Sequence, residues 1–173
     1  MRIIGGDWRG RPLEQPKTTA TRPTSDKVRA ALFDVLGDVH GLAMLDAYAG
    51  SGAIGIEALS RGASSVVAIE TAHLAIQSID RNTRSLAAGT FQLNSGKVEY
   101  FPGKPQQFDL IFADPPYADV NPVVLDYLAR FLQDDGTFVV SHSSRIASPE
   151  LQSLKLVRHK VYGDSALSFY QRT

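Results

Sequence analysis

Apolar residues recur along this chain in two alternating periods. "LAMLDAY" (42–48), "SSVVAIE" (64–70), "FDLIFAD" (108–114) and "GTFVVSH" (136–142) are short, nearly continuous apolar runs of the kind that form buried strands. "TFQL" (90–93) is a weaker one. Between them lie segments with helical spacing: "GIEALSRG" (55–62), "AHLAIQSIDRNTRSLA" (72–87) with Leu74, Ile76, Ile79 and Leu86 apolar, and "PVVLDYLARFL" (122–132). "LKLVRHKVY" and "ALSFYQR", joined through Gly163-Asp164, read as a closing hairpin. Strands alternating with helices predict an α/β fold, a mostly parallel seven-stranded sheet with helices on both faces and a C-terminal antiparallel hairpin.

The first two dozen residues lack this pattern. Ile3 and Ile4, Gly5-Gly6-Asp7, then Trp8 and Arg9 suggest a small hairpin, and Pro12 to Pro23 a loop. A helix should follow, capped by Thr24 or Ser25, with Asp26 in its first turn and Val28, Ala31, Leu32, Val35 and Leu36 on one face, ending near Gly37. The organisation expected is a basic arm over 1–24 and a single domain over 25–173.

The whole chain, 173 residues with a formal net charge of zero, has no overall field for nucleic acid or membrane. Residues 1–29 nonetheless hold seven Arg or Lys against three acids, a local basic excess that the remainder balances. There is no cysteine, which excludes disulfides and thiolate metal sites. The four histidines, His40, His73, His142 and His159, show no metal-ligand spacing, so no metal is expected. No apolar run reaches the roughly 18 residues needed to span a bilayer, and the N-terminus lacks a signal-peptide pattern. A soluble, cytoplasmic protein is the expectation.

"DAYAGSGAIG" contains Gly50, Gly52 and Gly55, the G-x-G-x-x-G spacing of a dinucleotide-binding turn. Asp46 stands four residues ahead of Gly50, where it would repel a pyrophosphate and attract an ammonium. S-adenosylmethionine carries an ammonium and a sulfonium and no phosphate, so it suits this turn better. Glu70, at the end of the next strand, is placed for ribose hydroxyls, which either cofactor offers. "DPPY", Asp114 to Tyr117, follows a strong strand. Its prolines fix φ and remove two N–H donors. A carboxylate and a rigid carbonyl can then accept from an exocyclic amino group, while Tyr117 offers a face for a base.

"DAYAGSG", "AIE" and "DPPY" resemble class I S-adenosylmethionine-dependent methyltransferases, which have a Rossmann-like fold. "RPTSDKVRAALFDVL" (22–36), "LDAYAGSGAIGIEALSRGA" (45–63), "FDLIFADPPY" (108–117) and "YGDSALSFYQR" (162–172) are similar to the RsmD family over nearly the whole chain. That resemblance implies methylation of the 2-amino group of a specific guanine in 16S ribosomal RNA. It implies Asp46, Gly50, Ser51, Gly52 and Glu70 around the cofactor, with Ala47, Tyr48 and Thr71 adjoining, and Asp114, Pro115, Pro116 and Tyr117 at the target amino group. Relatives carry an acid after the third strand; here Asn94 and Ser95 occupy that place. Arg2, Trp8, Arg9, Arg11, Lys17, Arg22 and Thr24 are the expected RNA contacts. A small-subunit assembly intermediate is the expected partner, met by a monomer. An adenine-N6 methyltransferase sharing "DPPY", a dinucleotide oxidoreductase, and a non-catalytic RNA-binding protein are the competing readings.

Overall fold

Ser25 opens the first helix: its hydroxyl accepts from the Val28 amide at 3.2 Å and satisfies one first-turn donor. The computed structural model describes residues 1–17 and 24–173. Helix α1 (Asp26–Leu36) stops at Gly37, whose φ of 74° suits glycine and whose N–H returns to the Phe33 carbonyl. Its buried face holds Val28, Leu32 and Phe33, with Val35 and Leu36 partly packed; Arg29 is buried among them.

The remaining elements are β1 (Ala43–Ala47), α2 (Ala53–Ser60), β2 (Ser65–Glu70), α3 (His73–Leu86), β3 (Phe91–Ser95), a 3-10 helix (Val98–Tyr100), β4 (Phe108–Ala113), α4 (Pro122–Ala129), β5 (Leu132–Ser143), β6 (Lys155–Tyr162) and β7 (Ser165–Gln171). The seven strands form one sheet in the order β3-β2-β1-β4-β5-β7-β6. β1 to β5 are mutually parallel, and β7 runs antiparallel to both β5 and β6. The fold class read from the pattern is therefore observed. One boundary differs. Apolar spacing carries a helix on to Leu132, but α4 ends at Ala129. The Arg130 and Phe131 carbonyls instead accept from Gln106, Gln107 and Phe108, and Leu132 pairs with Phe108.

Alternation along the strands divides the core. Leu110 and Phe112 face α1 and α2, with Met44, Ile54, Ala58, Val66 and Val139. Ile111 and Ala113 face α4, with Leu45, Leu125, Leu128, Phe138 and Val140. Each fully buried Leu or Phe contributes roughly 1.5–3 kcal/mol. Gly55 sets how closely α2 lies on the sheet: a Cβ there would stand 2.7 Å from Val66 Cγ1 and 3.2 Å from Asp46 Oδ2.

The N-terminal segment is built into this body. Arg2 and Pro12 form an antiparallel bridge, and Ile3 and Leu13 bury their side chains against Ala53, Ile56, Leu86 and Ala88. Below them lies an ionic cluster. Glu57, fully buried on α2, accepts from the Ile4 and Gly5 amides at 2.9 and 2.7 Å and from Arg61 Nε at 2.9 Å. Arg29 Nε lies 3.3 Å from the same carboxylate, and its Nη2 donates to the Arg2 carbonyl and to Asp26. Arg29, one of the cations counted in the basic excess of residues 1–29, thus belongs to the fastening of that segment, to which Arg2 lends its backbone carbonyl.

Candidate active site

From β1 the chain builds outward to β2 and β3, then returns to place β4 on the other flank of β1. That reversal opens a crevice beyond the carboxyl ends of β1 and β4, where ligands of such sheets bind. The Asp114 amide donates to the Ala47 carbonyl at 3.3 Å, which joins the two walls.

The first wall is the turn from β1 into α2. Gly50 and Gly52 have φ of 58° and 77°, values that cost little only without a side chain. Tyr48 also has positive φ, 63°, held by its packing on the α4-side core. Asp46 is 1% exposed, and its Oδ2 accepts from Gly55 N at 3.0 Å. Burial, with smaller contributions from the charges of Asp114 and Glu70, pushes its pKa up to about 8 against the Gly55 hydrogen bond. No ion pair among the described residues satisfies it. A buried acid held this way is matched to a cation brought in by a ligand.

Glu70 closes the wall from β2. One oxygen accepts from Gly50 N at 2.8 Å, the other from the Thr71 and Ala72 amides at 2.7 and 2.8 Å. It pins the glycine turn to the start of α3. Ser95 is level with it on β3, and the Gly96 amide donates to the Glu70 carbonyl at 3.0 Å. Asn94 pairs with Ile69, one residue back from this edge. Burial, and then the charges of Glu99 in the 3-10 helix and of Asp119, push the Tyr48 phenol up to about 12.

The second wall is "DPPY". Asp114 follows β4 and faces α1, where its Oδ2 accepts from Thr24 Oγ1 at 2.8 Å. Burial raises the Asp114 pKa, and the hydroxyls of Ser141, on β5, and Thr24 pull it partly back. Pro115 is buried and Pro116 exposed. The Asp119 amide turns back onto the Pro116 carbonyl at 2.8 Å, and Asn121 caps α4. Tyr117 is 43% exposed, its hydroxyl 2.8 Å from Ser165 Oγ at the head of β7. The C-terminal hairpin therefore holds the ring at the crevice.

The structure brings together Asp46, Ala47, Tyr48, Gly50, Ser51, Gly52, Glu70, Thr71, Ser95, Asp114, Pro115, Pro116, Tyr117 and Thr24. Thr24, expected at RNA, donates to Asp114 at the crevice. Trp8 packs partly buried against the arm's core, its amide on Ser60 Oγ, and Arg11 donates to the Ser85 carbonyl. Ser60 and Ser85 lie at the C-terminal ends of α2 and α3, the edge of the sheet opposite the crevice. Arg2 and Arg9 share that hairpin, whereas Lys17 is on the limb leading toward Thr24. Arg22 lies outside the described residues. Ser141 and Asn82 went unrecognised in the sequence. Asn82, buried in α3, donates to the Ser51 and Glu14 carbonyls at 3.0 Å each and accepts from Glu14 N at 2.8 Å. Its one signal is an amide on the apolar stripe of a helix.

No helix among the described residues is long and apolar enough to cross a membrane. The family described as conserved hypothetical protein 95 matches residues 1–171. The chain is 36% identical to ribosomal RNA small subunit methyltransferase D of Escherichia coli K12, over 99% of this chain and 90% of that one. A solved structure of a hypothetical protein from Thermus thermophilus superposes with a TM-score of 0.81 at 29% identity, covering 99% of both chains. A SAM-dependent methyltransferase from Aquifex aeolicus, 12% identical, shares the fold with a TM-score of 0.67 over 82% of this chain and 87% of that one.

Proposed function

The chain belongs to the RsmD family, and from that premise we propose that it transfers a methyl group from S-adenosylmethionine to the 2-amino group of a guanine in 16S ribosomal RNA. The observation that carries this reading is the acid at the end of β4. Asp114 is oriented by Thr24, with Ser141 nearby, and stands across one crevice from a buried Asp46 that no ion pair among the described residues meets.

The residues of the first wall fit the cofactor. Asp46 would receive its ammonium, Glu70 its ribose hydroxyls, and the open turn at Gly50 to Gly52 would admit its backbone; Ala47, Tyr48, Ser51, Thr71, Asn94 and Ser95 complete the surround. When bound, the cofactor supplies a methyl group on a sulfonium leaving group. The protein's own contribution is positional and electrostatic. Asp114 and the Pro115 carbonyl accept the two amino hydrogens and fix the nitrogen in line, while Pro116 stiffens the turn. Tyr117 stacks on the base once it has left its helix. The raised pKa of Asp114 suits it to take the amino proton as the new N–C bond forms.

We assign the arm's RNA contact to Lys17 on its returning limb, and a partly assembled small-subunit particle as substrate, met by a monomer in the cytoplasm. The test is transfer of labelled methyl to small-subunit RNA, free and partly assembled, followed by nucleoside analysis. N2-methylguanosine is expected. N6-methyladenosine, or no transfer with intact cofactor binding, would overturn the reading.

A further inference from the structure

β6 is the outermost strand, hydrogen-bonded only to β7 among the described residues, and every residue from Lys155 to Val161 is exposed. Such an edge is ordinarily short or covered. This one runs eight residues and reads Lys-Leu-Val-Arg-His-Lys-Val-Tyr, with three permanent cations and no acid. Leu156, Val157 and Val161 are 42%, 51% and 58% exposed.

Its direction and facing tie it to the site. β6 is antiparallel to β7, which is antiparallel to β5, so β6 points the same way as β4 and ends at the same edge as Asp114. Arg158 pairs with Phe169 and Lys160 with Leu167. Directly paired residues share a face, and Phe169 and Leu167 pack in the cluster beneath α1. Arg158 and Lys160 therefore stand on the α1 face, the side on which Thr24 meets Asp114. They are two residues apart, roughly 6–7 Å along a strand, comparable to successive phosphates on an extended nucleic-acid strand. Beyond Tyr162, the turn is clamped by Ser144, which donates to the Gly163 and Asp164 carbonyls at 2.9 Å each. Ser165 then reaches the Tyr117 hydroxyl.

We propose that β6 is an RNA-docking edge, with Arg158 and Lys160 taking phosphates of the strand that flanks the target base and Lys155 extending the row. The assignment rests on the RNA-methyltransferase reading and adds the path by which the substrate leaves Tyr117. Charge complementarity selects the occupant: a row of cations without acids favours a polyanion over a second protein strand, which would meet three repelling charges if it were another copy of β6.

The experiment uses the full chain carrying Arg158→Ser with Lys160→Ser, assayed for methyl transfer to small-subunit particles across a salt series. Both residues are exposed, and unchanged thermal unfolding and cofactor titration would verify the fold. The expected result is a KM for the particle raised about tenfold at low salt, with kcat unchanged. The slope of log affinity against log salt should fall by roughly 1.4–1.8, for two phosphates. Arg158→Lys with Lys160→Arg should behave as the parent, and so should Arg84→Ser on α3. An inactive parent chain would defeat the methyltransferase reading itself. An active parent with the same KM and salt slope in the double variant would overturn the β6 assignment alone. So would a concentration-dependent dimer that the double variant abolishes without altering KM.

Discussion

Replacing Asp46 by Asn should make the cofactor-free protein more stable and the cofactor bind more weakly. Asp46 is 1% exposed, and its carboxyl, ordinarily near 3.8, holds its proton to about pH 8 in the fold. In the unfolded chain it ionises near its ordinary value. Below that value both states are neutral and nothing is lost. As pH rises toward about 8 the unfolded chain ionises and the folded one does not, so stability present in acid is lost at about 1.4 kcal/mol per pH unit. At pH 7 the loss is on the order of 4 kcal/mol. Asparagine has the same shape, keeps an oxygen for the Gly55 amide and does not titrate. Urea unfolding of the cofactor-free proteins should therefore show little difference near pH 4 and the variant clearly ahead near pH 8. Cofactor binding should run the other way. An ammonium paired with Asp46 draws the carboxyl back to its ionised form, so the parent should release close to one proton per cofactor near neutral pH and bind more tightly as pH rises toward 8. Titration calorimetry in buffers of different ionisation heat measures that proton. The variant should release none and bind roughly 10- to 100-fold more weakly, the worth of a hydrogen bond to a charged group. Unchanged affinity in Asp46→Asn, or a parent that releases no proton, would refute the pairing.

Thr24→Val should lower kcat about 3- to 10-fold, with cofactor affinity unchanged and Thr24→Ser restoring the rate, because it removes the 2.8 Å hydrogen bond on Asp114; Ser141→Ala should lower kcat in the same direction. Asp114→Asn should lose on the order of a hundredfold or more in kcat while binding cofactor as the parent does, as steady-state rates and cofactor titration will show. Tyr117→Ala should cost roughly 1–3 kcal/mol of base stacking, read as a fall in kcat/KM. Tyr117→Phe, which keeps the ring and loses only the Ser165 bond, should fall much less. Glu57→Ala should destabilise the protein by roughly 3–5 kcal/mol in chemical unfolding, since it strands Arg29 in the core and frees the Ile4 and Gly5 amides.

The elements were legible in the sequence because each is a local matter. Short apolar runs marked the strands, Ser25 and Gly37 bounded α1, and "DPPY" announced itself by two prolines after a buried strand. The crevice followed from topology once the parallel order was inferred. What escaped depends on contacts between residues far apart in the chain. Thr24 and Asp114 are separated by 90 positions, and nothing near Thr24 announces its partner. Ser141 is one hydroxyl in an apolar strand, and Asn82 one amide in an apolar stripe. Arg29 shows why a charge count misled: a guanidinium looks solvated until its buried carboxylate, here Glu57 on another helix, is known. The end of α4 escaped for a related reason, since the carbonyls that stop it are claimed by the approach to β4.

The sheet order carries a consequence for how this molecule comes into being. β7 follows β6 in the chain, yet lies between β6 and β5. During synthesis β6 emerges with no neighbour to pair with, and it becomes a strand only when β7 is there to be flanked. The same closing event delivers Ser165 to Tyr117 and raises the cationic edge beside it. A ribosome-bound or truncated chain that stops short of β7 would lack Leu167, Phe169 and Tyr170 from the two core clusters, as well as the Ser165 hydroxyl that holds Tyr117. The last strand made thus completes the packing of the sheet and the setting of Tyr117 together.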